Sequence, residues 1–351
     1  MTKTLKIGNI TIGGGNRIAI QSMTTTDTAD AASTAEQIHR LEEAGCDIVR
    51  ASVYNMEAAK AFRKIKEQIS VPLVADVHFD HRLAIAAVEN GADKLRINPG
   101  NITDPAAVRT LVDCAKAHGV PIRIGVNGGS LSMEVRRRFG EGSATALVAS
   151  AMENIRLLEA EGFYKIAVSV KSSDVRKMIE AYRLLSTQCD YPLHLGVTEA
   201  GTADIGVIKN AIGIGSLLLE GIGDTIRVSL TGDPVQEILA AQNILRSIGL
   251  YEGGVEVISC PMCARTKIPL ERIVAEVKAA TKHIKTPIKA AVMGCVVNGP
   301  GEAKDADIGL AGGGGSGGKA VVFRRGEMLA SGEVAQMTQL LIREIEKMAI
   351  T

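Results

Sequence analysis

The sequence lacks an excess of charge of either sign: 40 Lys and Arg face 39 Asp and Glu. No overall field therefore draws the chain to nucleic acid or to an anionic membrane, and any anion site must be local. It also lacks a long apolar run, with nothing near the about 18 consecutive apolar residues that mark a membrane-spanning helix. The N-terminus, Met1-Thr-Lys-Thr-Leu-Lys6, leads into apolar/polar alternation rather than the apolar core of a signal peptide. A cytoplasmic protein with no nucleic-acid or membrane partner is the expectation. Cysteines number only six, and in a reducing compartment a C-x-x-C pair favours metal or redox duty over a structural disulfide. Apolar residues, by contrast, make up 46% of the 351, enough to build a core in one large domain or two.

Eight short runs rich in Ile, Val and Leu recur along the first 250 residues: Arg17–Met23, Cys46–Val53, Leu73–Val77, Lys94–Ile97, Ile122–Val126, Lys165–Val170, Leu193–Val197 and Thr225–Ser229. Each reads as a buried strand and is followed by a stretch of helical periodicity. Ala58, Phe62, Ile65 and Ile69 share one helical face, and Ile238, Ala241, Leu245 and Ile248 another. Asp233-Pro234 and Asp104-Pro105 carry helix-start signals, a capping carboxylate followed by proline at the first helical position. Eight such units fit a (β/α)8 barrel, a fold of about 250 residues. Residues 5–13 are expected to form a hairpin that plugs the barrel bottom. A doubly wound sheet is the alternative, but it normally carries a glycine fingerprint after its first strand, and Gln21-Ser22-Met23 has none. The pattern changes at Tyr251-Glu-Gly-Gly, which starts a linker, so residues 1–250 and 251–351 are read as two domains. The second is a small α/β domain closed by a helix whose buried face is Val334, Met337, Leu341, Ile345 and Met348.

Barrel chemistry sits at the C-terminal ends of the strands. Those ends carry Gln21 and Ser22, Arg50, Asp76 and His78, Arg96 and Asn98, Arg123 and Asn127, Lys171, Thr198 and Glu199, and Arg227 and Ser229. Four arginines and a lysine on one mouth imply a polyanionic ligand, most simply a diphosphate, because guanidinium groups match phosphate oxygens and stay charged. Asp76 and Glu199 are the candidate general acids, provided burial raises their pKa. His78 and His81 could bind a metal, although hydrogen bonding suits them as well. Two glycine tracts do not make nucleotide sites. Gly313–Lys319 resembles a P-loop, but Ala320 replaces its Ser/Thr and a strand follows; Gly213-Ile-Gly215 lacks the third glycine of a dinucleotide fingerprint.

Cys46, Cys114 and Cys189 are scattered singly, whereas Cys260-Pro-Met-Cys263 and Cys295-Val-Val-Asn-Gly-Pro-Gly-Glu302 lie in Gly/Pro-rich segments. Thiolates so spaced suit an iron–sulfur cluster. Three cysteine ligands would leave one iron open to a weak, displaceable oxygen ligand, and Glu302 could return toward the site. Structural zinc, with His283 as fourth ligand, is the alternative.

Arg17–Thr26, Lys94-Leu-Arg-Ile-Asn-Pro-Gly100, Ile122-Arg-Ile-Gly-Val-Asn127, Leu195-Gly-Val-Thr-Glu-Ala-Gly201, Cys260-Pro-x-Cys263 and Met293–Glu302 together resemble the bacterial 4-hydroxy-3-methylbut-2-en-1-yl diphosphate synthase family across nearly the whole chain. The resemblance implies a TIM barrel joined to a domain carrying a 4Fe-4S cluster. It also implies reductive ring opening of 2-C-methyl-D-erythritol 2,4-cyclodiphosphate in the non-mevalonate isoprenoid pathway, by two single-electron transfers from flavodoxin or ferredoxin. Its cluster ligands map onto Cys260, Cys263, Cys295 and Glu302, with Glu302 giving way so that the unique iron meets substrate oxygen. Its diphosphate clamp maps onto Arg50, Arg96, Arg123, Asn127, Lys171, Thr198 and Ser229, and Glu199 matches the carboxylate at the reacting hydroxyl. The family form is a head-to-tail homodimer in which the cluster domain of one copy meets the barrel of the other. Ala264 and Gly128 depart from the glycine and alanine usual at those positions. From the residues themselves two other functions stay open: a zinc-stabilised lyase or transferase acting on a phosphorylated or pterin-like substrate, and a non-enzymatic iron–sulfur carrier or sensor.

Overall fold

The first two strands, β1 (Leu5–Ile7) and β2 (Ile10–Ile12), form an antiparallel hairpin. Their alternation sends Leu5, Ile7 and Ile12 inward, onto Ala19, Ile48, Val74 and Ala167 near the starts of four barrel strands. The hairpin thus closes the N-terminal end of the barrel with side chains. The structure is a computed structural model and describes residues 1–98, 101–102, 104–140, 142–295, 305–313 and 318–350.

Eight parallel strands follow: β3 (Ala19–Met23), β4 (Ile48–Ser52), β5 (Leu73–Asp76), β6 (Lys94–Ile97), β7 (Ile122–Asn127), β8 (Ile166–Lys171), β9 (His194–Leu195) and β10 (Thr225–Ile226). They run in the order β8-β7-β6-β5-β4-β3-β10-β9. A parallel bridge from Val168 to Leu193, with the Val168 N–H on Pro192 O at 2.9 Å, joins β8 to the segment leading into β9 and closes the ring. The fold is a (β/α)8 barrel. Its helices are α1 (Ala31–Glu43), α2 (Met56–Lys66), α3 (His81–Glu89), α4 (Pro105–His118), α5 (Met133–Phe139), α6 (Ala144–Ala160), α7 (Val175–Ser186), α8 (Ala203–Leu219) and α9 (Pro234–Ser247).

Helix starts follow the sequence signals. Asp104 and Asp233 accept hydrogen bonds from the backbone N–H groups of Ala106 and Val235, satisfying donors that the first helical turn leaves open. Ala58, Phe62 and Ile65 of α2 are buried, as are Ile238, Ala241 and Leu245 of α9; Ile69 and Ile248 lie just beyond the helix ends and are half-buried. The short α5 is an insertion after β7 that the strand-by-strand reading did not separate from α6.

The chain divides into two compact units, Met1–Leu250 and Tyr251–Thr351. The second has a five-stranded sheet of β11 (Val255–Ser259), β12 (Ile288–Met293), β13 (Ile308–Gly312), β14 (Lys319–Arg324) and β15 (Glu327–Glu333). The first three strands are parallel and the last two antiparallel. Helices α10 (Leu270–Thr281) and α11 (Val334–Ile350) pack on it, with Ile273, Val277, Leu341 and Ile345 meeting Val292, Leu310 and Val322. Met337, Leu341 and Ile345 of the expected α11 face are buried, and Val334 and Met348 pack at its margin. Lys319 opens a strand, not the helix that a phosphate-binding loop must precede, and Gly313 N–H donates to its carbonyl at 2.7 Å.

Ile7 is fully buried in the plug. Ile7→Ala is expected to destabilise the first unit by about 2–5 kcal/mol, as buried large-to-small substitutions do. Urea denaturation checks this, and a loss under about 1 kcal/mol would show that the hairpin merely decorates the barrel.

Candidate functional site

Inward positions recur every second residue along a strand, so the last inward side chains of all eight strands meet at the barrel mouth. A cavity of about 160 Å³ there is lined by Arg50, Asp76, His78, Arg96, Arg123, Asn127, Ser169, Lys171, Thr198, Arg227 and Ser229. All seven residues read from the sequence as a diphosphate clamp fall in this one lining. Glu199 does not. It is exposed, with φ +52°, and borders an adjoining cavity of about 310 Å³ with Asn127, Gly128, Gly129, Ser172, Ser173 and Thr198. A left-handed backbone at a non-glycine residue costs on the order of 1–3 kcal/mol and tends to persist at functional positions.

The electrostatics turn on Asp76. Arg96 Nη1 donates to its Oδ1 at 3.0 Å, Arg50 Nε stands 3.7 Å from Oδ2, and His78 Nε2 stands 3.6 Å from the same oxygen. Burial pushes the Asp76 carboxyl up, but Arg50, the His78 hydrogen bond and Arg96 together outweigh it and hold the group well below the usual carboxylate range. The sequence reading offered Asp76 as a general acid; the geometry corrects this, because two arginines hold it ionised at neutral pH and it anchors them. Glu237 of α9 accepts from Ser22 Oγ at 3.0 Å, Arg227 Nη2 at 3.4 Å and the Leu230 N–H at 3.1 Å.

Five cations around the cavity thus face two carboxylates. Arg123, 1% exposed, donates from Nη1 to Ser169 Oγ at 2.7 Å. Among the described residues its Nε and Nη2 have no acceptor, nor do Arg96 Nε and Arg227 Nε. Arg50 points Nε and Nη2 at the thioether of Met23, 3.2 and 2.8 Å away, a weak acceptor that releases them at little cost. Burial, then the neighbouring arginines, push Arg123 and Lys171 well below their ordinary values; burial pushes Arg50 down to about 10, against the pull of Asp76. Buried donors left in this state call for an anion. Two glycines make the packing possible: a Cβ on Gly125 would lie 2.5 Å from Arg96 Nε, and one on Gly196 would lie 2.7 Å from Lys171 Nζ.

Lys94, Ser169 and His194 are polar inward residues that the sequence reading missed. Its census stopped at strand ends, while Lys94 and Ser169 lie two positions before Arg96 and Lys171, and His194 four positions before Thr198, all residues already selected. Period two was the signal available.

In the second unit, Cys260 follows β11 and Cys295 follows β12. The register pairs Ser259 with Val292, so both cysteines lie at the same edge of the sheet. Gly294 N–H donates to Cys260 Sγ at 3.2 Å. Lys267 N–H donates to Gly294 O at 3.1 Å, and Thr266 N–H to Cys263 O at 2.9 Å, which ties the Cys263 loop to the same edge. Hydrogen bonds from Arg265 lower the pKa of the exposed Cys263 thiol. An N–H aimed at one sulfur, a second thiol eased toward thiolate and a third, buried thiol at the same edge of the sheet are chemistry that suits a thiolate-bound iron–sulfur group. Among the described residues no three His, Cys, Asp or Glu side chains stand together as a metal site, and Glu302 lies outside the described residues. His283 sits in the turn before β12, at the opposite end of a six-residue strand on the order of 20 Å long. The zinc reading with His283 as fourth ligand is therefore withdrawn. His81 opens α3, and His78 contacts Arg96 and Asp76, a hydrogen-bonding arrangement.

A family profile described as the GcpE TIM-barrel domain matches residues 2–242, and one described as the GcpE protein C-terminal domain matches residues 256–347. A protein of Caldanaerobacter subterraneus subsp. tengcongensis named 4-hydroxy-3-methylbut-2-en-1-yl diphosphate synthase (flavodoxin) is 56% identical over 99% of this chain and 97% of its own. A relative of the same name from Clostridium perfringens is 54% identical over 98% of each. Among solved structures, the dihydropteroate synthases of Yersinia pestis and Stenotrophomonas maltophilia match with TM-scores of 0.52 and 0.53 at 14% identity. Each match spans 71% of this chain, with 100% and 98% of the solved chains covered. At that identity the likeness is one of fold alone.

Asp76→Asn is expected to cost about 3–5 kcal/mol at neutral pH, the scale for breaking a buried ion pair. With a folded pKa below the unfolded value, Asp76 contributes fully above about pH 4 and its contribution is lost as pH falls toward the folded value. The variant should therefore show a shallower loss of stability below about pH 4 than the parent in acid titrations followed by circular dichroism. Parallel acid limbs would show that Asp76 carries no such charge pairing.

Proposed function

The chain belongs to the GcpE family of 4-hydroxy-3-methylbut-2-en-1-yl diphosphate synthases, and from that membership we propose that it opens 2-C-methyl-D-erythritol 2,4-cyclodiphosphate reductively to 4-hydroxy-3-methylbut-2-en-1-yl diphosphate. It is an oxidoreductase of isoprenoid precursor synthesis, with flavodoxin as the donor named for its relatives. The observation that supports the substrate is the barrel mouth: four arginines and a lysine line a cavity of about 160 Å³, and among the described residues several of their buried guanidinium donors have no acceptor. A diphosphate supplies both the charge and the oxygens.

In this reading Arg50, Arg96, Arg123 and Lys171 hold the phosphate oxygens, with Asn127, Thr198 and Ser229 adding neutral hydrogen bonds. Asp76 does not touch the substrate; it keeps Arg50 and Arg96 aimed at it. Glu199, beside Asn127 and Thr198 in the adjoining cavity, faces the carbon portion of the ligand and orients or protonates the hydroxyl region at the breaking C–O bond. The adjoining cavity gives that portion room. Cys260, Cys263, Cys295 and Glu302 would hold a 4Fe-4S cluster, which when bound supplies electrons singly from flavodoxin or ferredoxin. The reading also carries over the family's homodimer, in which the cluster domain of one copy serves the barrel of its partner, and a cytoplasmic setting. No described helix is long and apolar enough to cross a membrane.

The test of this function is anaerobic. Protein reconstituted with iron and sulfide and then reduced should give a 4Fe-4S EPR signal that changes when the cyclodiphosphate is added. An absent cluster would sink the redox reading, and a cluster indifferent to the ligand would reduce the chain to a carrier. Separately, Arg96→Ala should weaken cyclodiphosphate binding by about 1.5–3 kcal/mol, the scale of a charge-assisted hydrogen bond. An unchanged Kd would remove the clamp.

A further inference from the structure

Beneath the diphosphate cavity lies a second polar layer that the clamp does not use. Lys94 of β6 is wholly buried, and its Nζ donates to Gln21 Oε1 at 3.2 Å. His194 of β9 is 1% exposed; its Nδ1 is 2.7 Å from Thr225 Oγ1, and its Nε2 has no partner among the described residues. Two basic side chains are thus enclosed in the barrel with neutral hydrogen-bond partners.

The charged groups around them explain what this does. Arg50 on β4, Arg123 on β7 and Lys171 on β8 bear on the pair, all with one sign. Tyr182 of α7 backs His194, its hydroxyl donating to His194 O at 2.5 Å. The carboxylates nearby are committed elsewhere: Asp76, on the adjacent β5, to Arg50 and Arg96; Glu237 to Arg227 and Ser22; and Asp224, before β10, to the Thr2 hydroxyl and the Leu193 N–H. Burial, and then Arg123 with the other cations, push both the Lys94 amine and the His194 imidazole well below their ordinary values. Enclosure without a carboxylate partner disfavours the charged form of both.

A polyanion entering the cavity above reverses the sign of the local field. We propose that Lys94 and His194 form a proton store under the substrate site, uncharged while the cavity is empty and taking up a proton from solvent when a diphosphate fills it. The store rests on the diphosphate reading and extends it: the barrel adjusts its own charge to that of its ligand. It also means that binding weakens as pH rises, because the complex holds more protons than the free partners.

The experiment uses the full chain and inorganic pyrophosphate. Isothermal titration at pH 8 in two buffers of different ionisation enthalpy gives the number of protons exchanged on binding. Pyrophosphate's own protonation is common to all proteins compared, so the difference between variants belongs to the store. Lys94→Met removes the amine while keeping an apolar chain that suits the enclosure, and His194→Gln tests the other member. Both are expected to bind pyrophosphate with less proton uptake than the parent, and nitrogen-15 spectra of the parent should show His194 moving toward imidazolium on saturation. Equal proton numbers in all three proteins, with His194 neutral throughout, would overturn the store while leaving the clamp intact. Failure of the parent to bind pyrophosphate would overturn the clamp, and the store with it.

Discussion

Positive charge held out of water, with too little negative charge beside it, is the constraint on which the polar end of this barrel depends. Removing an ion from water is costly unless the protein returns equivalent contacts. Asp76 returns part of them to Arg50 and Arg96, and Glu237 part to Arg227. The remainder is left open at Arg123 and Lys171, both buried in the mouth. A site in this condition is strained toward its ligand before the ligand arrives. The rest of the unit, from the apolar plug below to the ring of helices outside, supplies the rigidity that keeps like charges from moving apart.

Chemistry in this chain is divided between two units with different structural means. The barrel offers fixed donors from eight strands, each placed by hydrogen-bond register with its neighbours. The second unit offers sulfur atoms on loops at one edge of a sheet, where backbone N–H groups are free to point at them. Regular strands suit the recognition of a highly charged ligand, because donors spaced by the pleat cannot collapse onto one another. Loops suit a soft inorganic group, whose ligands must come from three directions.

Much of the fold was legible because its determinants are local. Eight apolar runs, their spacing and the Asp-Pro helix starts are properties of contiguous residues, and the barrel follows from them. Less was legible where strands are brief: β9 and β10 are two residues each, although the apolar runs there are five residues long. The α5 insertion escaped because seven residues with three arginines carry no core-facing pattern. The residues that line the cationic mouth could be picked out because strand ends are predictable, whereas Asp76 was misread because the charges that fix its ionisation come from β4 and β6. Lys94 and His194 escaped for a related reason: their significance lies in what surrounds them, and those surroundings are assembled from six strands.

The mouth is shaped as much by missing atoms as by charged ones. Gly125 and Gly196 hold no special φ; a Cβ on Gly125 would occupy the space of the Arg96 guanidinium, and one on Gly196 would meet the Arg227 carbonyl at 2.5 Å and then Lys171 Nζ at 2.7 Å. An arginine lost from the clamp leaves neighbouring cations that share its task, so such a loss is graded. An added methyl group has no substitute path to offer: at Gly125 it forces the Arg96 guanidinium from its seat, and at Gly196 it pushes on the backbone of the strand that carries Arg227 as well as on the Lys171 ammonium. Inheritance of this site therefore falls on two residues with no functional group at all, and the route by which such a barrel could be turned to a neutral ligand begins by filling those two hollows rather than by erasing its charges.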